Sequence, residues 1–346
     1  AEDDHAAAFR SFRAGAASIA AARPKTRGLG VDGRDLQRIA LLALAQEAVE
    51  RAAAKAFFER CFVPSRIIAD GFVTGYFEPE VEASRVRAGA FAVPLYRRPV
   101  DLAEIDDANR PAGWDPDIRF ARRTASRIEP YLDRRAIETG ALAGRGLELA
   151  WLKSPVDAFF IHVQGSARLR LTDGSTMRIA FAGKSGHAYT SIGRLAVERG
   201  ILRREEAHRD GLEAWLKRHP AEGLALMHEN RSFIFFRETG QAEEQGPIGA
   251  ASAPLSPLRS LAVDRTLHTF HSPIWVDAPS LGDPDAANRS FRRLMIAQDT
   301  GSAIVGPARG DIFFGSGDRA GSLAGRVQHR AAMVLLFPEA ASAEAG

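Results

Sequence analysis

Five short apolar runs follow one another near the end of the chain: PLRSLAVDR (257–265), SPIWVDAP (272–279), RRLMIAQDTG (292–301), DIFFGSG (311–317) and AAMVLLFP (331–338). Each run has the length of a β-strand, and Gly, Pro or charged residues separate it from the next. This spacing predicts a small β-barrel, in which every strand turns one side chain in two toward a common core.

Upstream of these runs, the sequence contains both strand-like and helix-like patterns. Residues 71–85 (GFVTGYFEPEVEASR) alternate apolar and polar side chains as a half-buried strand does. Asp173-Gly174 is a strong hairpin signal inside a long strand-like stretch. Two helices are predicted in SIGRLAVERG (191–200) and GLEAWLKRH (211–219). Further strands are predicted in AFAVPLYRRP (90–99), AFFIHVQGSARLRLTDGSTMRIAFAG (158–183) and NRSFIFFRE (230–238).

The first 63 residues predict helices, because they are rich in Ala and carry apolar residues at three-and-four spacing. The second helix is expected to begin near Arg34-Asp35 and to stop at Pro64. Cys61 is the single cysteine, so an intramolecular disulfide is impossible, and it is predicted to be a small core residue.

These patterns predict a mainly β protein with N-terminal helices. One domain is expected to comprise residues 1–88 and 224–346, with a second β-containing domain, residues 89–223, inserted into it. A cleft between two domains of this kind is a common place for a binding site.

The bulk composition is that of a globular protein: 346 residues, 45% hydrophobic and 26% charged. A net charge of +3 and a pI near 9.2 suit an anionic polymer, but no basic run or RNA-binding motif indicates nucleic acid. The sequence contains no run of about 18 apolar residues, so it does not predict a membrane span. The chain opens AEDDHAAAF, a stretch that does not predict a signal peptide, and a processed form would open in the same way. A monomer is expected, since nothing indicates an obligate oligomer.

Three aspartates stand at the ends of apolar strands. Asp311 begins DIFFG, Asp299 ends LMIAQD before a Thr-Gly turn, and Asp264 ends LAVD. Poor access to water raises a carboxyl pKa, so such residues are candidates for proton transfer near neutral pH. The alternative is that they form turns, because Asp before Gly bonds the local backbone.

The same segments resemble a known domain. AVDR, AQDTGSAIVG and GDIFFGSGDRAG are similar to the 3D domain, which is named for three aspartates. The blocks upstream, in the same order, resemble the membrane-bound lytic murein transglycosylase A (MltA) family from about residue 70 to 337. These blocks are VTGYFEPEVEASR, FFIHVQGSARLRL, GKSGHAYTSIGR, NRSFIFFRE and GPIGAASAPLSPLRSLAVDR.

The resemblance implies a double-psi β-barrel domain with a smaller β-barrel domain inserted and a groove between them. It also implies a lyase that cuts the β-1,4 bond between N-acetylmuramic acid and N-acetylglucosamine in peptidoglycan and leaves a 1,6-anhydromuramic end. The partner would be the glycan strand, and proteins of cell-wall synthesis or division are further candidates. The implied location is periplasmic, with outer-membrane association open, and no cofactor is expected.

For the site, the resemblance assigns the acid and base roles to Asp311. One carboxyl suffices because the C6 hydroxyl of the sugar is the nucleophile. Asp299 is expected to hold Asp311 and keep it protonated, and Asp264 to order the turns.

Several polar residues are candidates for binding substrate. They supply hydroxyl, amide or cationic groups, or a ring that stacks under a sugar. The alternatives are a half-buried strand at 74–78, a mid-strand β-bulge at 164–166 and a helix-start loop at 184–189. His187 has no second His or Cys at metal-ligand spacing, so no metal is expected. The candidates are Thr74, Tyr76, Gln164, Gly165, Ser166, Lys184, His187 and Tyr189.

The chain departs from the family pattern at three positions. Ser302 replaces a frequent Gly, Phe313 replaces a frequent Tyr, and Asp318 stands where some members have Pro. Glu78 is a rival acid, but it precedes Pro79 and is expected to be extended and partly exposed.

Two other functions compete with the transglycosylase. A non-catalytic peptidoglycan-binding module would need a degraded acid site. A water-using muramidase would need a second carboxylate about 5–10 Å from the first, supplied by Glu78 or Asp318.

Overall fold

A computed structural model describes residues 3–46, 49–240, 246–286 and 288–339. The tail PEAASAEAG, predicted to be disordered, lies largely outside these residues. None of the described helices is both long and apolar enough to cross a membrane. The helices are α1 (His5–Ala21), α2 (Gly33–Leu44), α3 (Arg51–Cys61), α4 (Arg134–Ala136), α5 (Pro155–Gln164), α6 (Ile192–Glu198), α7 (Arg209–Arg218), α8 (Pro220–His228) and α9 (Gly317–Ala324). The strands are β1 (Phe62–Arg66), β2 (Phe72–Glu78), β3 (Glu80–Ala83), β4 (Val93–Tyr96), β5 (Leu102–Glu104), β6 (Phe120–Arg123), β7 (Ile128–Glu129), β8 (Glu148–Leu152), β9 (Ser166–Leu171), β10 (Thr176–Lys184), β11 (Ile234–Thr239), β12 (Ser260–Val263), β13 (Pro273–Gly282), β14 (Ser290–Asp299), β15 (Arg309–Ser316), β16 (Gln328–Arg330) and β17 (Ala332–Pro338).

The chain forms two compact units. The sequence predicted an insertion over 89–223, whereas contacts within the chain also place 78–88 and 224–243 in the second unit. The first unit comprises residues 1–77, 244–315 and 319–346, and the second comprises 78–243 and 316–318.

The first unit is built on a mixed sheet. Its eight strands among the described residues follow the order β1-β17-β13-β14-β12-β15-β2-β16. β12 lies inside the sheet, parallel to β14 on one side and antiparallel to β15 on the other. All four residues of β12 are buried, which is why LAV reads as a continuous apolar run.

The N-terminal helices belong to the first unit. α1 begins at the cap Asp4, whose side chain accepts the Ala7 amide, and α1 and α3 meet through a cluster of phenylalanines. The sequence predicted that the second helix runs from Arg34-Asp35 to Pro64, and this was wrong in two respects. The chain leaves helical geometry after α2 and starts again at α3, and Pro64 lies in the edge strand β1, where a missing amide donor is tolerated.

The second unit contains three small sheets. A four-stranded sheet has the order β11-β10-β9-β3, β4 pairs with β8, and β5, β6 and β7 form the third. The predicted hairpin is confirmed: β9 and β10 pair antiparallel across Asp173 and Gly174, and Gly174 has φ 84°. The predicted helices α6 and α7 are also present.

One strand prediction in this unit was wrong. Residues 155–164, which overlap the strand predicted within 158–183, form helix α5. The signals at its ends decide the matter. Ser154 accepts the Asp157 amide, Pro155 occupies the first turn, and Gly165 caps the end at φ 78°. Together with α8, which the sequence did not predict, α5 makes the protein a mixed helix and sheet fold rather than a mainly β one.

Candidate active site

Two aspartates meet on one face of β12. Ala262 is the register partner of Asp299 on β14 and of Asp311 on β15. Residues directly opposite one another in a sheet project to the same face, so both carboxyls and the small Ala262 share one side. Ala262 is 3% exposed and small, so it places little bulk between the two acids.

A β-bulge creates this arrangement. Leu261 pairs with Ala297 and Ala262 with Asp299, so Gln298 is an extra residue in β14. Without the bulge, Gln298 would stand opposite Ala262, and the aspartate would project to the other face. The Gln298 side chain is fully buried, accepts the hydroxyls of Ser11 and Ser260, and donates to the Ser11 carbonyl. These bonds stabilise the extra residue.

Asp311 is half-buried and lies beside polar groups from two strands. Thr74 on β2 donates its hydroxyl to Asp311 Oδ1 at 2.5 Å. The Arg309 guanidinium donates to Thr74 Oγ at 2.7 Å and to the Gly310 carbonyl. Burial raises the pKa of Asp311 to about 6; the Thr74 bond and the Arg309 charge oppose this shift, and the Asp299 charge adds to it.

Asp299 accepts hydrogen bonds on both oxygens. The Ala250 amide donates to Oδ1 at 3.0 Å, and the Tyr76 hydroxyl donates to Oδ2 at 2.9 Å. Burial raises the pKa of Asp299 above its ordinary value, although these donors and the Thr300 amide oppose the shift. Burial and the Asp299 charge hold the pKa of Tyr76 well above its ordinary value, so its hydroxyl stays a donor.

Asp264 has a different environment. Its Oδ1 accepts the amide and hydroxyl of Thr266, and its Oδ2 accepts the Gly306 amide at 2.8 Å. Burial opposes ionisation, but these bonds hold the pKa of Asp264 below its ordinary value. The carboxylate therefore stays charged and ties together two loops of the first unit.

Glu78 differs from its prediction. It was expected to be partly exposed, yet its side chain is completely buried. Arg178, itself 6% exposed, approaches Glu78 Oε1 to 2.8 Å, and the Ser316 hydroxyl donates to Oε2 at 2.6 Å. A buried carboxylate needs such partners, and the second unit supplies them. Asp318, the other rival acid, is exposed to solvent.

The remaining candidates lie in the second unit. Gln164, Gly165 and Ser166 stand at the junction of α5 and β9 rather than in mid-strand, since Gly165 is the helix cap. Lys184 ends β10, and His187 Nε2 bonds the Tyr131 carbonyl at 2.8 Å.

The turn between Lys184 and Tyr189 requires glycine. Gly186 has φ 83°, and a Cβ there would lie 2.0 Å from the Phe120 carbonyl oxygen. Tyr189 is 39% exposed. In the described part of the chain, no group of His, Cys, Asp and Glu side chains could hold a metal ion.

Sequence reasoning missed Arg309, Ala250 and Gln298. Arg309 is two residues from Asp311, but nothing in the local pattern marks it as the donor to Thr74. Ala250 acts through its amide, which no residue type reveals. Gln298 adjoins Asp299 in the quoted motif, but a bulge leaves no compositional signal.

Comparison with known proteins places the chain in a class. Residues 72–237 match the MltA specific insert domain, and residues 259–337 match the 3D domain. The crystal structure of a membrane-bound lytic murein transglycosylase from Agrobacterium tumefaciens is 44% identical, with a TM-score of 0.89 over 97% of this chain and 93% of that one. The chain belongs to the membrane-bound lytic murein transglycosylase A family.

Two further relatives frame this membership. Membrane-bound lytic murein transglycosylase A of Vibrio cholerae is 33% identical over 74% of this chain. The match covers 62% of that relative, so the chain spans less than two thirds of its length. A structure of E. coli MltA with bound chitohexaose is 27% identical, with a TM-score of 0.66 over 89% of this chain and 82% of that one.

Proposed function

We propose that this chain is a lytic transglycosylase, a lyase that cleaves the β-1,4 bond between N-acetylmuramic acid and N-acetylglucosamine in peptidoglycan. The observation that carries the proposal is Asp311, a half-buried carboxyl with a pKa raised to about 6 in the 3D segment. Such a group holds a proton near neutral pH and can also release it. The chitohexaose bound by the E. coli relative supports a β-1,4-linked amino-sugar polymer as substrate.

Asp311 acts first as an acid. Because Arg309 donates to Thr74 Oγ, the hydroxyl proton of Thr74 is directed to Asp311 Oδ1, and Oδ2 is left to carry the catalytic proton. Asp311 gives this proton to the glycosidic oxygen as the bond from C1 to that oxygen breaks.

Asp311 then acts as a base. Its carboxylate takes the proton of the C6 hydroxyl while O6 bonds to C1, which yields the 1,6-anhydromuramic end. The proton lost in the first step returns in the second, and no water is consumed. A single carboxyl is therefore sufficient, since the substrate supplies its own nucleophile.

Asp299 acts as the neighbour of Asp311. Its negative charge raises the pKa of Asp311 and keeps the acid protonated. Tyr76 and the Ala250 amide hold Asp299 in place. Asp264 orders the turns of the first unit and does not contact sugar.

Thr74 and Tyr76 bind substrate next to the acids they hold. Thr74 offers a half-buried hydroxyl, and the Tyr76 ring, 5.3 Å from Phe313 between centroids, offers an edge to a sugar. In the second unit, half-buried or exposed polar groups bind acetamido groups or lactyl and peptide carboxylates. These residues are Gln164, Gly165, Ser166, Lys184, His187 and Tyr189.

The eight-stranded sheet of the first unit is proposed to close as a double-psi β-barrel, and the sheets of the second unit to form the smaller barrel. On a flat sheet, β2 and β14 would stand three strand spacings apart, roughly 14 Å. The bond between Tyr76 and Asp299 spans that gap, which requires strong curvature. The bond between Ser280 on β13 and His329 on β16 has the same implication.

The proposed location is the periplasm with outer-membrane association, since the matched relatives are named membrane-bound. The proposed partner is the glycan strand, and proteins of cell-wall synthesis or division are open as further partners. The protein is proposed to act as a monomer without a cofactor.

A hydrolytic muramidase is the second candidate, and one observation favours it. Asp299 stands two strand spacings from Asp311, roughly 9–10 Å between backbones. A second carboxyl on the same face of the sheet is what a muramidase that activates water requires. Glu78 cannot serve, because its carboxylate is buried against Arg178.

Digestion of purified murein sacculi tests these alternatives. The wild type, Asp311→Asn and the control Asp318→Asn are compared by mass spectrometry of the products. The proposal expects muropeptides one water lighter than hydrolysis products from the wild type and the control, and none from Asp311→Asn. Fully hydrated products would establish the muramidase. Binding to sacculi with no product from any of the three proteins would establish a non-catalytic module.

A further inference from the structure

The loop that supplies the Ala250 amide to Asp299 is held at the next residue, Ala251. The Ala251 amide donates to the carbonyl of the bulge residue Gln298 at 3.1 Å. The Ala251 carbonyl accepts two more bonds, from Ser18 Oγ at 3.2 Å and from His271 Nε2 at 3.1 Å. Three contacts thus fix Ala251 through its amide and its carbonyl, on either side of its Cα, next to the Ala250 amide that Asp299 accepts.

The two donors to Ala251 come from separate elements. Ser18 lies on α1, the N-terminal helix that shows no motif in the sequence. His271 is 3% exposed, and its amide donates to the Ala297 carbonyl of β14. The histidine has φ 69°, a left-handed conformation that costs energy for a residue with a side chain. In this conformation the His271 ring reaches the Ala251 carbonyl.

The protonation state of His271 follows from its partner. A carbonyl oxygen only accepts, so Nε2 carries the proton, and Nδ1 faces Gly15 of α1. Burial lowers the pKa of His271 to about 4, which keeps the ring neutral near pH 7. A Cβ on Gly15 would lie 2.5 Å from Nδ1, so α1 is close enough to hold the ring in place.

We propose that Ser18 of α1 and His271 are positioning residues for the acid pair: by holding the Ala251 carbonyl they keep the Ala250 amide on Asp299. The proposal rests on the proposed function only for its catalytic consequence. Under this proposal, helix α1 contributes through Ser18 to the position of the acid pair.

The consequence is electrostatic. Among the described residues, the titratable groups that face Asp299 are Tyr76 on β2 and Asp311 on β15. If Ala251 is released, Asp299 loses the Ala250 amide, and its pKa rises because one donor to the anion is gone. A more neutral Asp299 no longer supports the proton on Asp311, so the loss of activity on the alkaline side begins at a lower pH.

The test is a titration of the Asp299 carboxyl by carbon-13 NMR, assigned with Asp299→Asn. Ser18→Ala removes one donor at a helix position where alanine is favourable, and Ala17→Ser on the same turn is the control. His271→Met removes the other donor. His271→Gln has nearly the same shape, keeps a donor at that point and meets the same backbone cost.

We expect the Asp299 pKa to rise by about 0.5 units or more in Ser18→Ala and His271→Met, and to stay unchanged in Ala17→Ser and His271→Gln. An unchanged titration in both Ser18→Ala and His271→Met would overturn the inference. The NMR result does not depend on turnover. Shifted titration with no anhydro product from the wild type would therefore refute the proposed function and leave the positioning role standing.

Discussion

Two carboxyl environments in this protein, one fully buried and one half-buried, differ in what surrounds them. In the second unit, Glu78 is fully buried against the guanidinium of Arg178, with direct contact at 2.8 Å. In the first unit, Asp311 also has an arginine nearby, but the contacts of Arg309 go to Thr74 and to a backbone carbonyl. One carboxyl is neutralised by an ion pair, and the other is left with a proton to exchange.

The difference teaches that burial alone does not make a carboxyl an acid catalyst. A buried carboxylate with a matched cation serves structure, because removing either charge leaves the other unpaired. A buried carboxyl without one binds its proton more tightly, and this is what general acid catalysis requires. The position of one guanidinium distinguishes the two environments, and only that of Asp311 suits the acid role proposed for it.

The largest expected effect is on Glu78. Glu78→Gln leaves the Arg178 charge buried without a counter-ion and should lower the free energy of unfolding by about 3–5 kcal/mol. Urea unfolding of the purified protein measures it. The matched control is Glu82→Gln, which breaks an ion pair with Lys153 at 2.6 Å between half-exposed side chains. That change should cost little, because water screens an ion pair between side chains that are this exposed. Equal losses would show that the Glu78 pair is not structural.

Substitution by asparagine should stabilise the protein at Asp311 and destabilise it at Asp264. Folded Asp311 keeps its proton up to about pH 6, whereas the unfolded chain loses it near pH 4. Between these values the native state binds more protons, so stability falls as pH rises. Asp311→Asn should therefore stabilise the protein by about 1–3 kcal/mol near pH 8 and by little near pH 4.

Asp264→Asn provides the contrast. The pKa of Asp264 is lowered, so its stabilisation is present above the unfolded pKa and is lost as pH falls through the folded pKa. The substitution should destabilise by about 1–3 kcal/mol near pH 8, because the Gly306 and Thr266 bonds lose their charged acceptor. Thermal unfolding across pH measures both variants. If both substitutions changed the stability near pH 8 in the same direction, Asp311 and Asp264 would not differ in the way proposed.

Much of this comparison could be predicted from the sequence. Asp264, Asp299 and Asp311 stand out because each ends or begins an apolar strand, and the register partners of Ala262 explain why two of them converge. The β9–β10 hairpin was predictable because Asp-Gly selects a turn locally. Such features rest on neighbours in sequence.

What the sequence did not predict rests on distant partners. The burial of Glu78 depends on Arg178, which is 100 residues away, so the local Glu-Pro pattern indicated exposure instead. The bulge at Gln298 depends on Ser11. Helix α5 is the exception, since Ser154 and Gly165 are local cap signals that indicate a helix, whereas the apolar run between them indicates a strand.

Arg309→Met tests whether this arginine acts through Thr74. Loss of the guanidinium frees the Thr74 hydroxyl to turn away from Asp311, and activity should fall about tenfold. Because the Arg309 charge lowers the pKa of Asp311, the alkaline limb should also move to higher pH. The pH profile of muropeptide release measures both effects. Arg309→Lys keeps the charge, so its alkaline limb should stay at the pH of the wild type. An alkaline limb that does not move in Arg309→Met would exclude an effect of Arg309 on Asp311.

Tyr76→Phe should have the smallest effect, because it alters the neighbour of the acid and not the acid. The ring keeps its contact with Phe313, and Asp299 keeps the Ala250 and Thr300 donors, so one bond of three is lost. Activity should fall about threefold, with little change in the free energy of unfolding, since the one hydrogen bond that is lost contributes roughly 1 kcal/mol or less. Initial rates on sacculi measure it. A loss as large as that of Asp311→Asn would make Tyr76 a proton donor in its own right and end the account of a single acid, whereas a small loss places the proton on Asp311.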